Sequence, residues 1–189
     1  ERALALQVTR PQREGTGETL LERTVARLRG PELDLVDSDI CVVASAAYAP
    51  LVGRQVPGIA VVVEPEGRNT AAAIALATVA IDRDEDDVMV VLPADHRIDP
   101  DREGLFRGVL RAAAGGLARG AFGVESPLVT LGIRPTHPST QYGYLVPRVG
   151  AGEDVAGLRA YPLAAFREKP SPMDAETLVA SPGVAWNAG

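Results

Sequence analysis

Three short segments of the 189-residue sequence gather residues suited to phosphate, metal and sugar ligands. The first is Glu64-Pro65-Glu66-Gly67-Arg68-Asn69-Thr70, between one apolar run and an Ala-rich one. A guanidinium offers five donors in a rigid fork, so Arg68 suits a phosphate or a base edge. The free N–H groups of a helix entrance favour the same acceptor-rich ligands. On local pattern alone, Asn69 as a plain helix cap and Gly67 as a plain turn residue compete with that reading. The second segment is Leu92-Pro93-Ala94-Asp95-His96. Mg²⁺ prefers carboxylate oxygen and shares its other positions with water and substrate phosphates, which makes Asp95 the candidate metal ligand. A turn or cap role for Asp95 fits equally well. His96 reads as structural, because two histidines in the chain make no zinc cluster. No suitably spaced serine or cysteine joins Asp95 and His96, so a hydrolase triad has little support. The third group is dispersed: Gln141-Tyr142-Gly143-Tyr144, Glu168-Lys169-Pro170 and Trp186-Asn187-Ala188-Gly189. Glycine admits a ligand close to backbone, a carboxylate accepts from adjacent hydroxyls, lysine neutralises phosphate, and asparagine both donates and accepts. Together they suit a sugar phosphate. Taken singly, Glu168 and Lys169 read as a surface pair, and Tyr142 and Tyr144 as edge-strand packing.

Elements must hold these segments in place. Apolar runs rich in Val, Ile and Leu recur at Ala3–Leu6, Ile40–Ala44, Ile59–Val63, Val88–Leu92 and Leu128–Ile133. Continuous apolar runs fit strands buried on both faces, as in parallel sheets covered by helices. Helical patterns alternate with them. Thr19 and Glu22 form a capping-box pattern ahead of the stripe Leu20, Leu21, Val25 and Leu28, and Gly30-Pro31 ends that helix. A second helix is predicted over about Thr70 to Ile81, so apolar that it should be buried on most sides. A third follows Asp99 and Pro100, with Leu105, Phe106, Val109, Leu110, Ala113 and Leu117 on one face. Beyond Gly132 the texture turns to Pro, Thr, Ser and Gly. Strand-like pieces follow around Tyr142–Val146 and Ala164–Arg167, then a small helix begun by Ser171-Pro172, read as a second lobe packed on the same sheet. The acidic stretch Asp82–Asp87 reads as a solvated turn.

Composition sets the outer limits. The chain is 46% hydrophobic and 23% charged, which is ordinary globular composition. A net charge of −6 without a basic run argues against nucleic-acid or anionic-membrane partners, while leaving open a phosphate ligand brought in with a divalent cation. Cys41, the single cysteine, lies in an apolar run and reads as a small buried hydrophobe. No apolar stretch approaches a membrane span, and the first residues lack the order of a signal peptide, so a cytoplasmic location is expected.

In order, Glu64-Pro65-Glu66-Gly67-Arg68-Asn69-Thr70-Ala71-Ala72-Ala73-Ile74-Ala75, Val91-Leu92-Pro93-Ala94-Asp95-His96, Leu131-Gly132-Ile133-Arg134-Pro135-Thr136, Tyr142-Gly143-Tyr144, Phe166-Arg167-Glu168-Lys169-Pro170 and Trp186-Asn187-Ala188-Gly189 resemble the nucleotidyltransferase domain of bacterial mannose-1-phosphate guanylyltransferases. The resemblance implies an α/β, Rossmann-like fold of three layers, an open and mainly parallel sheet with helices on both faces and a smaller sugar-binding lobe. Residues 1–133 would be the nucleotide-binding core and 134–189 that lobe. It implies GTP and mannose 1-phosphate as substrates, Mg²⁺ as cofactor, and compatibility with a homodimer. Gly67, Arg68, Asn69 and Thr70 would face the guanine end of the nucleotide, and Asp95 would hold Mg²⁺. Gly143, Glu168, Lys169 and Asn187 would surround mannose and its phosphate, with Asp95 and Lys169 as the catalytic residues. The family places a Gly-rich loop, ending in an Arg-Leu-Trp-Pro pattern, after its first strand. Here Arg2-Ala3-Leu4-Ala5-Leu6 resembles that strand, and Gln7-Val8-Thr9-Arg10-Pro11-Gln12 follows, with Gln12 where an Arg-Pro-Lys piece would put lysine. Either the gene encodes the loop between Leu6 and Gln7, as the family order on both sides favours, or the protein is a non-catalytic nucleotide-sugar-binding or regulatory relative. Beyond the position of Gly189 the family continues with further sheet and a second metal-binding carboxylate.

Overall fold

The computed structural model describes residues 2–8, as backbone, and residues 17–188. Thr9, Arg10, Pro11, Gln12 and Gly189 lie outside the described residues. Two compact units divide the chain, Glu1–Ala114 and Gly115–Gly189.

The first unit holds a four-stranded sheet in the order β3-β2-β1-β4, built from β1 (Arg2–Val8), β2 (Ile40–Ser45), β3 (Ala60–Glu64) and β4 (Val88–Pro93). Every neighbouring pair is parallel. The apolar runs thus become the strands their composition predicts, although β3 and β4 are buried only in part where β2 is buried through most of its length. β3 and β4 are the edges, which accounts for their partial exposure. β1 runs unbroken across Leu6 and Gln7, pairing Val8 with Ala44 on one side and Gln7 with Pro93 on the other.

Helix α1 (Leu20–Leu28) begins as its sequence predicts. The Thr19 hydroxyl accepts from the Glu22 N–H at 3.2 Å, and the Glu22 carboxylate accepts from the Thr19 N–H at 2.6 Å. Its face of Leu20, Leu21, Thr24, Val25 and Leu28 is buried. The short α2 (Ala49–Gln55) has no apolar stripe to betray it, since Pro50 and Gly53 interrupt the pattern and only Val52 is buried. Helix α3 (Asn69–Ala80) corrects the expectation of burial on most sides: only Ala73 and Ala77 are buried, against Cys41 and Val43, and Val79 is 87% exposed. Alanine's helix propensity accounts for the composition of its open faces without any covering element. Helix α4 (Glu103–Gly115) follows a single turn of tighter helix over Pro100–Arg102, with Asp99 at the start but making no side-chain cap bond. Its buried face is Leu110, Ala113 and Ala114; Leu105, expected in that stripe, is exposed.

The second unit has its own four-stranded sheet, order β5-β10-β6-β9, from β5 (Gly132–Ile133), β6 (Gly143–Pro147), β9 (Leu163–Glu168) and β10 (Ala185–Asn187). All its pairs are antiparallel. This corrects the expectation of a lobe on the same sheet; the run Leu128–Ile133 contributes only the two residues of β5, paired with β10. A hairpin unforeseen from sequence joins β7 (Glu153–Val155) to β8 (Leu158–Ala160). Ala156 and Gly157 turn it with φ of 50° and 81°, the double positive φ of a two-residue type I′ loop. Helix α5 (Pro172–Ala180) starts at Ser171, whose hydroxyl accepts from the Asp174 N–H, and packs Ala175 against Tyr144, Val184 and Trp186. Tyr144 is fully buried on an interior strand, so the edge-packing reading fails for it. Among the described residues, no helix is long and apolar enough to cross a membrane.

Candidate active site

Parallel pairing brings the carboxyl ends of all four strands of the first sheet to one edge. The chain winds from β1 through β2 to β3, then places β4 on the other side of β1. That reversal is a topological switch point, where open α/β sheets receive ligands outside the strand ends. Glu64–Thr70 leaves β3 and Ala94–His96 leaves β4 at this same edge, three strand spacings apart, or about 14 Å.

At the β3 end, Glu64 is buried and the residues from Pro65 to Thr70 are exposed. Asn69 does not cap α3: it is the helix's first residue, with φ of +67°, and Arg68 in the cap position makes no side-chain cap bond. A Cβ on Gly67 would meet nothing within 4 Å. The fold therefore does not demand glycine there, and the open space is available to a ligand approaching the backbone. The Arg68 guanidinium donates twice to Glu66 Oε2, from Nε at 2.9 Å and Nη2 at 2.7 Å.

At the β4 end, Asp95 is exposed and makes no hydrogen bond or ion pair among the described residues, while Ala94 beside it is buried. The Thr24 hydroxyl of α1 faces the Ala94 carbonyl at 3.5 Å. His96 is half-buried, and burial is the main cause holding its imidazole below the ordinary range, opposed by Asp95 and assisted by Arg27.

Behind this loop stands an ionic network that sequence reasoning does not find. Arg27, buried on α1, donates to Glu103 of α4 at 3.2 Å. Arg107, one turn on from Glu103, pairs with Glu32 and reaches the Arg27 carbonyl at 3.3 Å. Burial is the main cause lowering the Arg27 pKa, and the bond to Glu103 opposes it. The only sequence signal is an arginine flanking the apolar stripe of α1, which by itself looks like a surface residue.

In the second unit, β-sheet register assembles the sugar-phosphate candidates. Gly143 of β6 lies opposite Glu168 of β9, and Asn187 of β10 lies opposite Gly132 of β5. The Trp186–Tyr144 pair puts Asn187 next to Gly143 one step along. Gly132, Asn187, Gly143 and Glu168 thus form one row across the sheet, on the face opposite Tyr144 and Trp186 because side chains alternate. The strands that carry Glu168 and Asn187 are two spacings, about 10 Å, apart, with Gly143 between them. A Cβ on Gly143 would come within 2.5 Å of the Phe166 ring and 2.8 Å of Glu168 Oε2, so both exposed side chains lie over this glycine and would have to shift to admit one. The Thr130 hydroxyl donates to the Asn187 amide oxygen, fixing that side chain. Lys169 has φ of 41°, bonds through its N–H to the Tyr142 carbonyl, and holds its ammonium 3.6 Å from Glu168 as an exposed surface pair. Behind the row, Tyr144 grips Ser139 twice, accepting from its N–H and donating to its carbonyl, while His137 and Tyr142 rest on Trp186.

Sequence-distant candidates therefore converge within each unit: Gly67, Arg68, Asn69, Thr70 and Asp95 on one sheet edge, Gly143, Glu168, Lys169 and Asn187 around one sheet row. Among the described residues no three His, Cys, Asp or Glu side chains cluster as a metal site. A lone carboxylate suits an ion arriving with phosphate ligands of its own.

Residues 34–189 match a family model described as nucleotidyl transferase. A protein of Escherichia coli (strain K12) described as mannose-1-phosphate guanylyltransferase is 36% identical over 180 residues, covering 90% of this chain and 35% of that protein. The chain spans about a third of the length of the curated relatives it matches over most of its own length. Among solved structures, one described as mannose-1-phosphate geranyltransferase from Thermus thermophilus aligns with a TM-score of 0.66 and 27% identity, over 100% of this chain and 55% of that one. A structure described as mannose-6-phosphate isomerase from Helicobacter pylori shares the fold, with a TM-score of 0.74 at 24% identity over 98% of this chain and 67% of that one.

Proposed function

The chain belongs to the nucleotidyl transferase family, and from that premise we propose that it makes GDP-mannose and pyrophosphate from GTP and mannose 1-phosphate. A phosphate oxygen of mannose 1-phosphate attacks the α-phosphorus of GTP. The new P–O bond forms as the bond to the β-phosphate oxygen breaks, and pyrophosphate leaves with that electron pair. Such a transfer asks the protein for alignment and charge neutralisation rather than for a covalent intermediate.

The observation that carries the reading is the row Asn187, Gly143 and Glu168. It sets an amide and a carboxylate on one face of the sheet, on the two strands that flank Gly143, where they suit the hydroxyls of a sugar ring. Lys169 beside it neutralises the sugar's phosphate. Gly67, Arg68, Asn69 and Thr70 receive the nucleotide, and Asp95, with its oxygens unengaged, holds Mg²⁺. When bound, Mg²⁺ supplies charge neutralisation on the phosphate oxygens. A three-layer, Rossmann-like core is part of the proposal, supported by the parallel sheet and by the burial of β2 along its length. So are a cytoplasmic setting, the absence of nucleic-acid and membrane partners, and a homodimeric assembly.

One observation favours a second reading, a non-catalytic nucleotide-sugar-binding relative: β1 continues as regular ladder through Leu6 and Gln7, where the family order calls for the Gly-rich loop. Pyrophosphate release separates the two. The enzyme releases pyrophosphate from GTP only when mannose 1-phosphate and Mg²⁺ are present, whereas a binding relative takes up GDP-mannose and releases none. Failure both to release pyrophosphate and to bind GDP-mannose would remove both readings.

A further inference from the structure

Asp95 is exposed and bonds to nothing among the described residues, so its own side chain does not fix where its carboxylate stands. The backbone must do so, yet Asp95–Asp99 has neither helix nor strand to stiffen it. What grips this stretch is α1. Thr24 and Arg27 lie three residues apart, hence on one face of that helix, and both are buried. The Thr24 hydroxyl reaches the Ala94 carbonyl, just past the end of β4, in a long bond of 3.5 Å. Arg27 donates to Glu103, the first residue of α4, at 3.2 Å, and its guanidinium stands 5.9 Å from the centre of the Phe106 ring. One helix face thus holds both ends of the loop. Packing alone does not call for such a pair, because a buried guanidinium carries a desolvation cost and apolar residues of similar volume join two helices at least as well. A charge-assisted bond differs from an apolar contact in being directional, so it fixes which atoms meet.

We infer that Arg27, with Thr24, is a positioning residue: together they brace the loop between β4 and α4 at its two ends and hold the Asp95 carboxylate in place for Mg²⁺. This rests on the proposed metal role of Asp95 and adds two residues of α1 to which the motifs assign no part. Neither touches the ligand. The brace narrows the positions open to Asp95, so less ordering is left to be done when metal and nucleotide bind.

Calorimetric titration of the 189-residue protein with GTP, once with Mg²⁺ and once with EDTA, tests the brace through the ratio of the two affinities. Asp95→Asn sets the floor, since the ratio that remains there is the charge neutralisation Mg²⁺ brings to GTP by itself. Arg27→Met combined with Glu103→Gln removes the pair without leaving a buried charge, and Thr24→Val removes the hydroxyl at nearly constant shape. The ratio falls toward the floor by about three- to ten-fold in the first and about two- to three-fold in the second, while affinity in EDTA stays near that of the wild type. Thr24→Ser, which keeps the hydroxyl, keeps the ratio. In the Asp95→Asn background neither change lowers the ratio further. Circular dichroism and melting temperature are followed for every variant. Variants that fold with a lower melting temperature and an unchanged ratio, or that weaken GTP equally with Mg²⁺ and with EDTA, overturn the brace. A wild-type ratio retained by Asp95→Asn overturns the metal role of Asp95, and the brace with it.

Discussion

Asp95 and Gly143 show how differently single residues can matter. Asp95 makes no contact that the fold needs, so Asp95→Asn should cut Mg²⁺-dependent turnover by roughly ten- to a hundred-fold while leaving the melting temperature unchanged. Near-normal turnover would remove it as the metal ligand. Gly143 is the reverse case: Gly143→Ala pushes a methyl group into the Phe166 ring and the Glu168 carboxylate. Its affinity for mannose 1-phosphate should drop with little change for GTP, and calorimetry with each ligand separates the two. Cys41 is legible from sequence as a buried hydrophobe; it is 6% exposed, and burial pushes its thiol pKa up. Thiol reagents should label it only after unfolding. Arg27 is not legible, because nothing in its neighbours signals that Glu103, 76 residues later, folds against it.

Elements with local punctuation can be read from sequence, and those fixed by distant pairing cannot. The capping box of α1 is made by residues three apart, so sequence alone locates it; Thr19→Ala should cost about 0.5–2 kcal/mol, measured by urea unfolding. Burial of α3 depends on what lies outside it, which no periodicity reveals, and an all-apolar pattern therefore looks like an all-buried helix. The second sheet is hidden because the partners of β10 are β5 and β6, more than 35 residues earlier, while the sequence shows only short strand-like pieces. The turn after α1 is tied to α4 by Arg107 and Glu32. The Arg107 hydrogen bond is the main cause holding the Glu32 carboxyl below its ordinary value of 4.5. A depressed carboxyl stabilises the fold above that ordinary value, and the contribution is lost as pH falls below it through the folded value. Arg107→Met should therefore differ from wild type in urea midpoint at pH 7, with the difference narrowing at acid pH. An equal difference at both pH values would mean that the ion pair is not the cause.

At the scale of the whole molecule, the candidate residues fall into two groups, one in each compact unit. The proposal gives each group its own substrate. Asn69→Ala should then weaken GTP more than mannose 1-phosphate, and Glu168→Ala the reverse, each by roughly three- to a hundred-fold. Asn69 makes no cap bond, but its φ of +67° suits asparagine better than alanine, so Asn69→Ala should cost up to about 1 kcal/mol of stability, and melting temperature is measured alongside binding. Equal weakening of both ligands by both variants would dissolve the division of labour. The order of motifs is legible along most of the chain, as the 36% identity over 180 residues bears out for the family. What the order cannot supply is the register that sets Gly143, Glu168 and Asn187 in one row. The most direct test of the central claim follows the phosphorus atoms: incubate the protein with mannose 1-phosphate, Mg²⁺ and GTP labelled in turn at the α- and γ-phosphates, then separate the products. Attack at the α-phosphorus puts the α label in GDP-mannose and the γ label in pyrophosphate. A γ label carried onto the sugar, or no label leaving GTP, would contradict it.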